Sequence, residues 1–264
     1  MLFDTGLSRS RGARAALALL VALLPARAST VAEPGPAPDI EAVTEDWPPY
    51  NFKEDGLVRG IATDLLRETC TLAQLRCRIE LEPWERAKLE TLARPATLLF
   101  TTARTPEREH QFIWIGPVAP RATWIFDLVR PGRAACQPAD RAHPCRYGVV
   151  RGDAAYEDLI AAGVPAENIE LGIDTAQNFR KLLAGRIDAV TDNELSMRWL
   201  SLRVDHSATR VRRVALLSQR GAYYFALNPL TSPALVARLD GAFKALAARR
   251  RPEEIARHYA PELR

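Results

Sequence analysis

The sequence predicts an α/β protein built as two lobes. Three observations carry that expectation. Short apolar runs alternate with helical patterns from residue 40 onward. The alternation stops at a proline-rich stretch, Gly116-Pro117-Val118-Ala119-Pro120, and it restarts at Tyr147. Alternating strand and helix patterns imply largely parallel sheets covered by helices. The 225 residues from 40 to 264 suffice for one large domain or two small ones.

In chain order, a strand at 40–43 precedes the turn Asp46-Trp47-Pro48-Pro49. A helix is expected over 61–75, because Ile61, Leu65, Leu72 and Leu75 fall near one helical face. A strand at 78–81 is followed by a helix from Pro83, proline being favoured in a first turn. Leu98-Leu99-Phe100 is the apolar centre of a strand over 97–101. After the proline-rich break, a strand at 123–129 leads into a Pro/Gly-rich excursion that holds Cys136 and Cys145. The second unit reads as strand 147–150, helix 153–162, strand 168–171, helix 175–184, strand 187–190 and helix 194–202. Strands at 211–217 and 223–227 and helices at 232–248 and 252–259 close the chain.

Residues 1–28 read as a cleavable signal peptide. Arg9, Arg11 and Arg14 precede an apolar run of ten residues, Ala15–Leu24, and Ala26-Arg27-Ala28 is a small-x-small cleavage pattern. The run is shorter than the roughly 20 residues of a spanning helix. Residues 29–39, with Pro34, Pro36 and Pro38, read as a flexible leader. Loss of the signal peptide, with Asp4, Arg9, Arg11, Arg14 and Arg27, lowers the formal charge from +4 to about +1, which weakens a nucleic-acid reading, since that wants a clustered basic stripe.

Export makes the four cysteines candidates for disulfides, and four allow three pairings. The local pairs Cys70–Cys77 and Cys136–Cys145 are favoured over zinc ligation, since no Cys-x-x-Cys is present, and over free thiols. The histidines (110, 143, 206, 258) have no metal-ligand spacing, and no metal or cofactor is expected.

Ligands of open α/β sheets bind outside the carboxyl ends of the strands. The loops at Trp47, Thr101-Thr102, Gly152 and Asp192 all follow strands, so they are expected to face one cleft. Arg108, after the turn Thr105-Pro106, supplies a planar fork suited to a carboxylate. Thr101 and Thr102 offer hydroxyls and backbone N–H groups to the same anion. Trp47, between stiffening prolines, is a candidate stacking face. Trp84 reads equally as a pocket wall or as core, and Tyr50 as a candidate with a structural reading. Asp153 and Asp192 are candidate carboxylates. Asp153 also fits a helix cap, and Asn193 competes with Asp192 for both the ammonium and the cap role.

Four stretches carry a family resemblance: Thr44–Tyr50, Gly60–Leu65, Thr101–Arg108 and Gly185–Val190. Together they resemble the type-3 family of bacterial extracytoplasmic solute-binding proteins, whose members serve polar amino acid ABC transporters. The resemblance implies a type II periplasmic-binding-protein-like fold, two α/β lobes joined by a two-strand hinge. It puts lobe one at 40–120 plus 220–264 and lobe two at 121–219, with crossings near 119–122 and 217–222. It puts Arg108 on the ligand carboxylate and an acid after Val190 on its ammonium. The Cys70–Cys77 spacing resembles a disulfide of some members. The sequence departs from the pattern at Ala103, at Gly152-Asp153 and in the position of the acid after Val190.

The resemblance therefore implies a monomeric periplasmic binding protein for a small carboxylate-bearing solute, an amino acid or derivative, with an ABC transporter permease as partner. Two other readings stand beside it. One is an enzyme of the same fold, like a cyclohexadienyl dehydratase, with Asp153 or Asp192 as general acid near Arg108. The other is a ligand-sensing module that signals to a second protein.

Overall fold

A computed structural model describes residues 37–259, apart from 139 and 208. The expected signal peptide and most of the expected leader lie outside the described residues. In chain order the elements are β1 (Ile40–Thr44), β2 (Phe52–Glu54), β3 (Leu57–Arg59), α1 (Ile61–Leu72), β4 (Cys77–Leu81), α2 (Trp84–Ala93), β5 (Thr97–Ala103), β6 (Ile113–Pro120) and β7 (Thr123–Leu128). There follow β8 (Tyr147–Val150), α3 (Ala155–Ala161), β9 (Ile169–Gly172), α4 (Thr175–Leu183), β10 (Ala189–Asp192), α5 (Glu194–Arg203), β11 (Val211–Ser218), β12 (Ala222–Leu227), α6 (Pro233–Ala248) and α7 (Arg251–Tyr259).

The strands form two five-stranded sheets, ordered β4-β1-β5-β12-β6 and β11-β7-β10-β8-β9. Each has a parallel trio, β4-β1-β5 or β10-β8-β9. The sheets are mixed, however. β12 runs against β5 and β6, and β7 runs against β10 and β11. The chain passes from the first sheet to the second between Pro120 and Thr123, and returns between Ser218 and Ala222.

The proline-rich stretch at 116–120 is strand rather than a break: β6 runs through it. It lies at the edge of its sheet, where a proline need not donate to a second neighbour. The hairpin β2–β3 was not expected, although Asp55-Gly56, with φ of 50° and 80°, is a turn pair of the tight-hairpin type. β10 ends at Asp192, two residues beyond the expected strand end, and α1 stops at Leu72 before Gln74, whose φ is 54°.

Each sheet has its own core. Ile40, Leu65, Leu66, Leu98, Phe100, Phe225 and Leu239 are buried in the first, while Ile125, Tyr147 and Leu159, and on the opposite face Phe179, Leu182 and Leu200, are buried in the second. Val150 of the second sheet packs with Val43, Trp84 and Leu99 of the first, so apolar contact crosses the boundary. Both local disulfides are formed. Cys70–Cys77 joins α1 to β4, and Cys136–Cys145 closes the excursion after β7.

The carboxyl-terminal helix is tied to the start of α1. Tyr259 Oη accepts the Gly60 N–H (2.9 Å) and donates to Asp64 Oδ2 (2.5 Å). Gly60 has φ 126°, and a Cβ there would stand 2.4 Å from the Tyr50 carbonyl oxygen, so the loop that carries Trp47 can close on α1 only through glycine.

Candidate functional site

The carboxyl ends of β1, β5, β8 and β10 converge on one small cavity of about 30 Å³, room for a water or two. Trp47, Trp84, Thr101, Arg108, Asp153 and Asp192 all line it. Tyr50 and Thr102 do not. Tyr50 instead stacks on Trp47, with ring centres 4.6 Å apart and planes at 18°, and thereby fixes the indole. The Thr102 hydroxyl is fully buried and donates to the Leu99 carbonyl (3.1 Å).

Thr101 reaches the cavity because β5 carries an extra residue. Between the pairs Leu99↔Ala226 and Thr102↔Tyr224, two residues of β5 oppose one of β12. Thr101 sits in this bulge at φ 62°, a region uncommon for β-branched residues and tolerated only where the surroundings impose it. Its Oγ1 donates to Asn51 Oδ1 (2.5 Å), and Asn51 Nδ2 donates to the Glu45 carbonyl (2.6 Å). The hydroxyl is thus bound to the Trp47 loop and faces the cavity as an acceptor.

Arg108 ends a 3₁₀ turn, Pro106–Arg108. Its Nη1 and Nη2 donate to the carbonyls of Ala103 (3.3 Å) and Gly152 (2.8 Å), and its guanidinium carbon lies 5.7 Å from the Trp84 ring centre. Burial lowers its proton affinity, yet a guanidinium stays charged. Trp84 Nε1 donates to the same Gly152 carbonyl (3.0 Å). Two donors of the first lobe therefore hold one carbonyl of the second. A further bond crosses the boundary, from Trp47 Nε1 to Asp192 Oδ1 (2.9 Å). The polar groups that would meet a solute are satisfied largely by one another.

The two carboxylates of the second lobe differ. Asp153 Oδ1 accepts the Ala155 N–H (2.6 Å) at the start of α3. Asn193 caps α5, its Oδ1 accepting the Ser196 N–H (2.8 Å), which frees Asp192 from the cap role; both line the cavity. Asp192 Oδ1 also accepts the Asn193 N–H (2.7 Å), whereas its buried Oδ2 has no hydrogen-bond partner. Burial, opposed by its hydrogen bonds, raises its pKa to about 7.

Three ionisable lining residues were not legible in the sequence. Glu45, next after β1, is 7 % exposed, and burial together with Asp153 and Asp192 drives its pKa well up. Arg121 lies in the first crossing segment. It is buried, forms an ion pair with Asp158 of α3, and donates to Ser218 Oγ (3.0 Å) beside the second crossing. Tyr223, just inside β12, meets the Trp47 ring edge-on at 5.1 Å. Their common signal is position: each stands where the chain leaves or enters a sheet. Arg108, Arg121 and Asp153 also border an adjoining groove of about 980 Å³. Among the described residues no three His, Cys, Asp or Glu side chains converge as metal ligands would.

No family model matches the chain, and no curated protein matches its sequence. Solved structures do share its architecture. An ancestral arginine-binding protein bound to arginine aligns at TM-score 0.71 and 17% identity, over 83% of this chain and 97% of that one. The arginine-, lysine-, histidine-binding protein of the thermophilic bacterium Geobacillus stearothermophilus aligns at 0.72 and 18%, over 83% and 94%. A histidine kinase sensor domain with similarity to periplasmic binding proteins aligns at 0.73 and 20%, over 83% and 95%. At these identities the likeness shows the fold: two α/β lobes joined by two strands, as in periplasmic binding proteins.

Proposed function

We propose that this chain is a solute-binding protein that captures a small carboxylate-bearing solute, an amino acid or derivative, in the periplasm and delivers it to an ABC transporter permease. Lobe one comprises 40–120 and 220–264, and lobe two 121–219. The observation that carries the reading is the meeting of Arg108, Trp84, Trp47, Thr101 and Asp192 in one cavity between the two sheets. Arg108 with nearby N–H groups receives the carboxylate, the indoles hold the body of the solute, and Asp192 receives an ammonium. The cavity of about 30 Å³ is too small for such a solute, so binding proceeds through a more open form. Hinge closure on the solute then replaces the cross-boundary bonds of Trp47, Trp84 and Arg108 with bonds to the solute.

A thermal-shift panel of amino acids and small carboxylates against the chain tests this. A solute at 100 times its Kd stabilises the native state by about 2.7 kcal/mol. Arg108→Ala is expected to abolish the shift; an undiminished shift removes Arg108 from the site. The sensor domain among the structural neighbours supports a second reading, ligand sensing, on the same cavity. Both readings are of binding rather than catalysis. Turnover of a prephenate- or arogenate-like acid on incubation is the observation that would restore the enzyme reading.

A further inference from the structure

Two acids meet in the cavity from opposite lobes. Glu45 follows β1, Asp192 ends β10, and both line the same small space. The residues are 7 % and 6 % exposed, and Glu45 Oε2 and Asp192 Oδ2 have no hydrogen-bond partner. An ionised carboxylate buried without a donor or a cation is costly, and protonation relieves the cost.

The cations that line the cavity do not offset them. Arg121 is committed to Asp158 and Ser218, and Arg108 to two carbonyls, and the cavity acid on which both guanidiniums act is Asp153. The other neighbours are acidic or neutral. Asp46, Asp153 and Asp174 act on Glu45; Asp153 is bound to the start of α3, and Asp174 caps α4, accepting the Gln177 N–H (2.6 Å). Around Asp192 stand Asp153, Ser196, Asn193 and Trp47. Tyr50 and Tyr223 face it as phenols that burial keeps protonated. Burial and the charge of Asp153 therefore raise the proton affinity of both acids. Parting the lobes admits water to both and returns them to the ordinary carboxylate range. The bond from Trp47 Nε1 to Asp192 Oδ1 (2.9 Å) survives protonation, because a carboxylic acid keeps an acceptor oxygen.

We propose that closure of the solute-free lobes is a proton-operated latch: a proton on the Glu45–Asp192 pair holds the cavity shut, and its loss lets the lobes part. No solute takes part, so the latch stands or falls apart from the binding role. A group whose proton affinity is higher in the closed form stabilises that form fully below its open-state pKa, and ceases to do so as pH rises through its closed-state value. For each such proton the closed-to-open ratio falls by up to about tenfold per pH unit across that window.

Small-angle scattering of the chain, dialysed free of solute, from about pH 4 to about pH 8 tests it. The radius of gyration of wild type is expected to rise by about 1 Å over this range, from the roughly 17 Å of a compact chain of this size. The double variant Glu45→Gln, Asp192→Asn, neutral at both positions at every pH, is expected to stay compact throughout. A wild-type radius that does not change with pH overturns the inference, and so does a double variant that expands as wild type does. Either failure leaves the binding role standing. Where the double variant does not fold, the wild-type curve decides. Expansion within this range with the near-ultraviolet circular dichroism retained supports the latch, and expansion that coincides with loss of that signal is unfolding and overturns it.

Discussion

At the scale of the residue, the cavity buries acids, Glu45 and Asp192, among polar groups that mostly bond one another. Asp192 shows the consequence. Its ordinary pKa of 3.8 rises to about 7, so between those values the folded protein holds a proton that the unfolded chain releases. Stability is therefore expected to fall as pH rises across this window, by up to about 1.4 kcal/mol per unit, and to level off above it. Glu45 adds in the same direction. Melting curves between pH 4 and 8 check this: Asp192→Asn should flatten the decline, and a wild-type profile that rises with pH would contradict the assignment. Residue-level legibility was uneven. Arg108, Trp47 and Asp192 stood out because a fork, an aromatic and an acid each followed an apolar run. Glu45 did not, since one acid beside another, Asp46, reads as a solvated loop until both are placed. Thr102 does not line the cavity, because adjacent strand residues point to opposite faces and of the two threonines Thr101, lifted by the bulge, reaches it.

At the scale of the element, apolar runs gave most strands and helices to within a few residues, because burial of both faces leaves long unbroken apolar stretches. Two elements escaped for physical reasons. β6 contains Gly116-Pro117, which reads as a break but is compatible with a sheet edge. β2 and β3 are three residues each, too short for a periodic signal. The disulfides were legible from local spacing alone. Cys136–Cys145 closes a loop of nine residues, for which chain entropy gives about 2–3 kcal/mol. Replacing both cysteines with alanine is expected to lower Tm by several degrees in calorimetric scans. An unchanged Tm would mean that the excursion after β7 contributes nothing to the second core.

At the scale of the whole molecule, what matters is that the lobes are closed on each other by side chains that line the cavity. Trp47 to Asp192, and Arg108 and Trp84 to Gly152, are the bonds across the boundary around the cavity. In the proposed role a solute competes with these bonds, which lowers its net affinity. Trp47→Phe removes one such bond, worth about 1 kcal/mol, while keeping an aromatic face. Small-angle scattering without solute is expected to show a larger radius of gyration for this variant than for wild type. Identical curves would show that the Trp47 bond has no share in closure. None of this was legible in the sequence, because a hydrogen bond between positions 145 residues apart leaves no local pattern.

Arg121 holds Asp158 and Ser218 at once, beside both strands that join the lobes. A guanidinium clasped on two sides at the junction is a fulcrum: a rotation wide at the rim is slight there. In the proposed role the bonds of Arg108 and Trp84 to Gly152 and the Trp47–Asp192 contact all cross the boundary, so such a swing makes and breaks all of them. In that role, the solute's acid end is seated first on the lobe that carries Arg108, and its ammonium is reached last by Asp192 of the other lobe, when the jaw shuts.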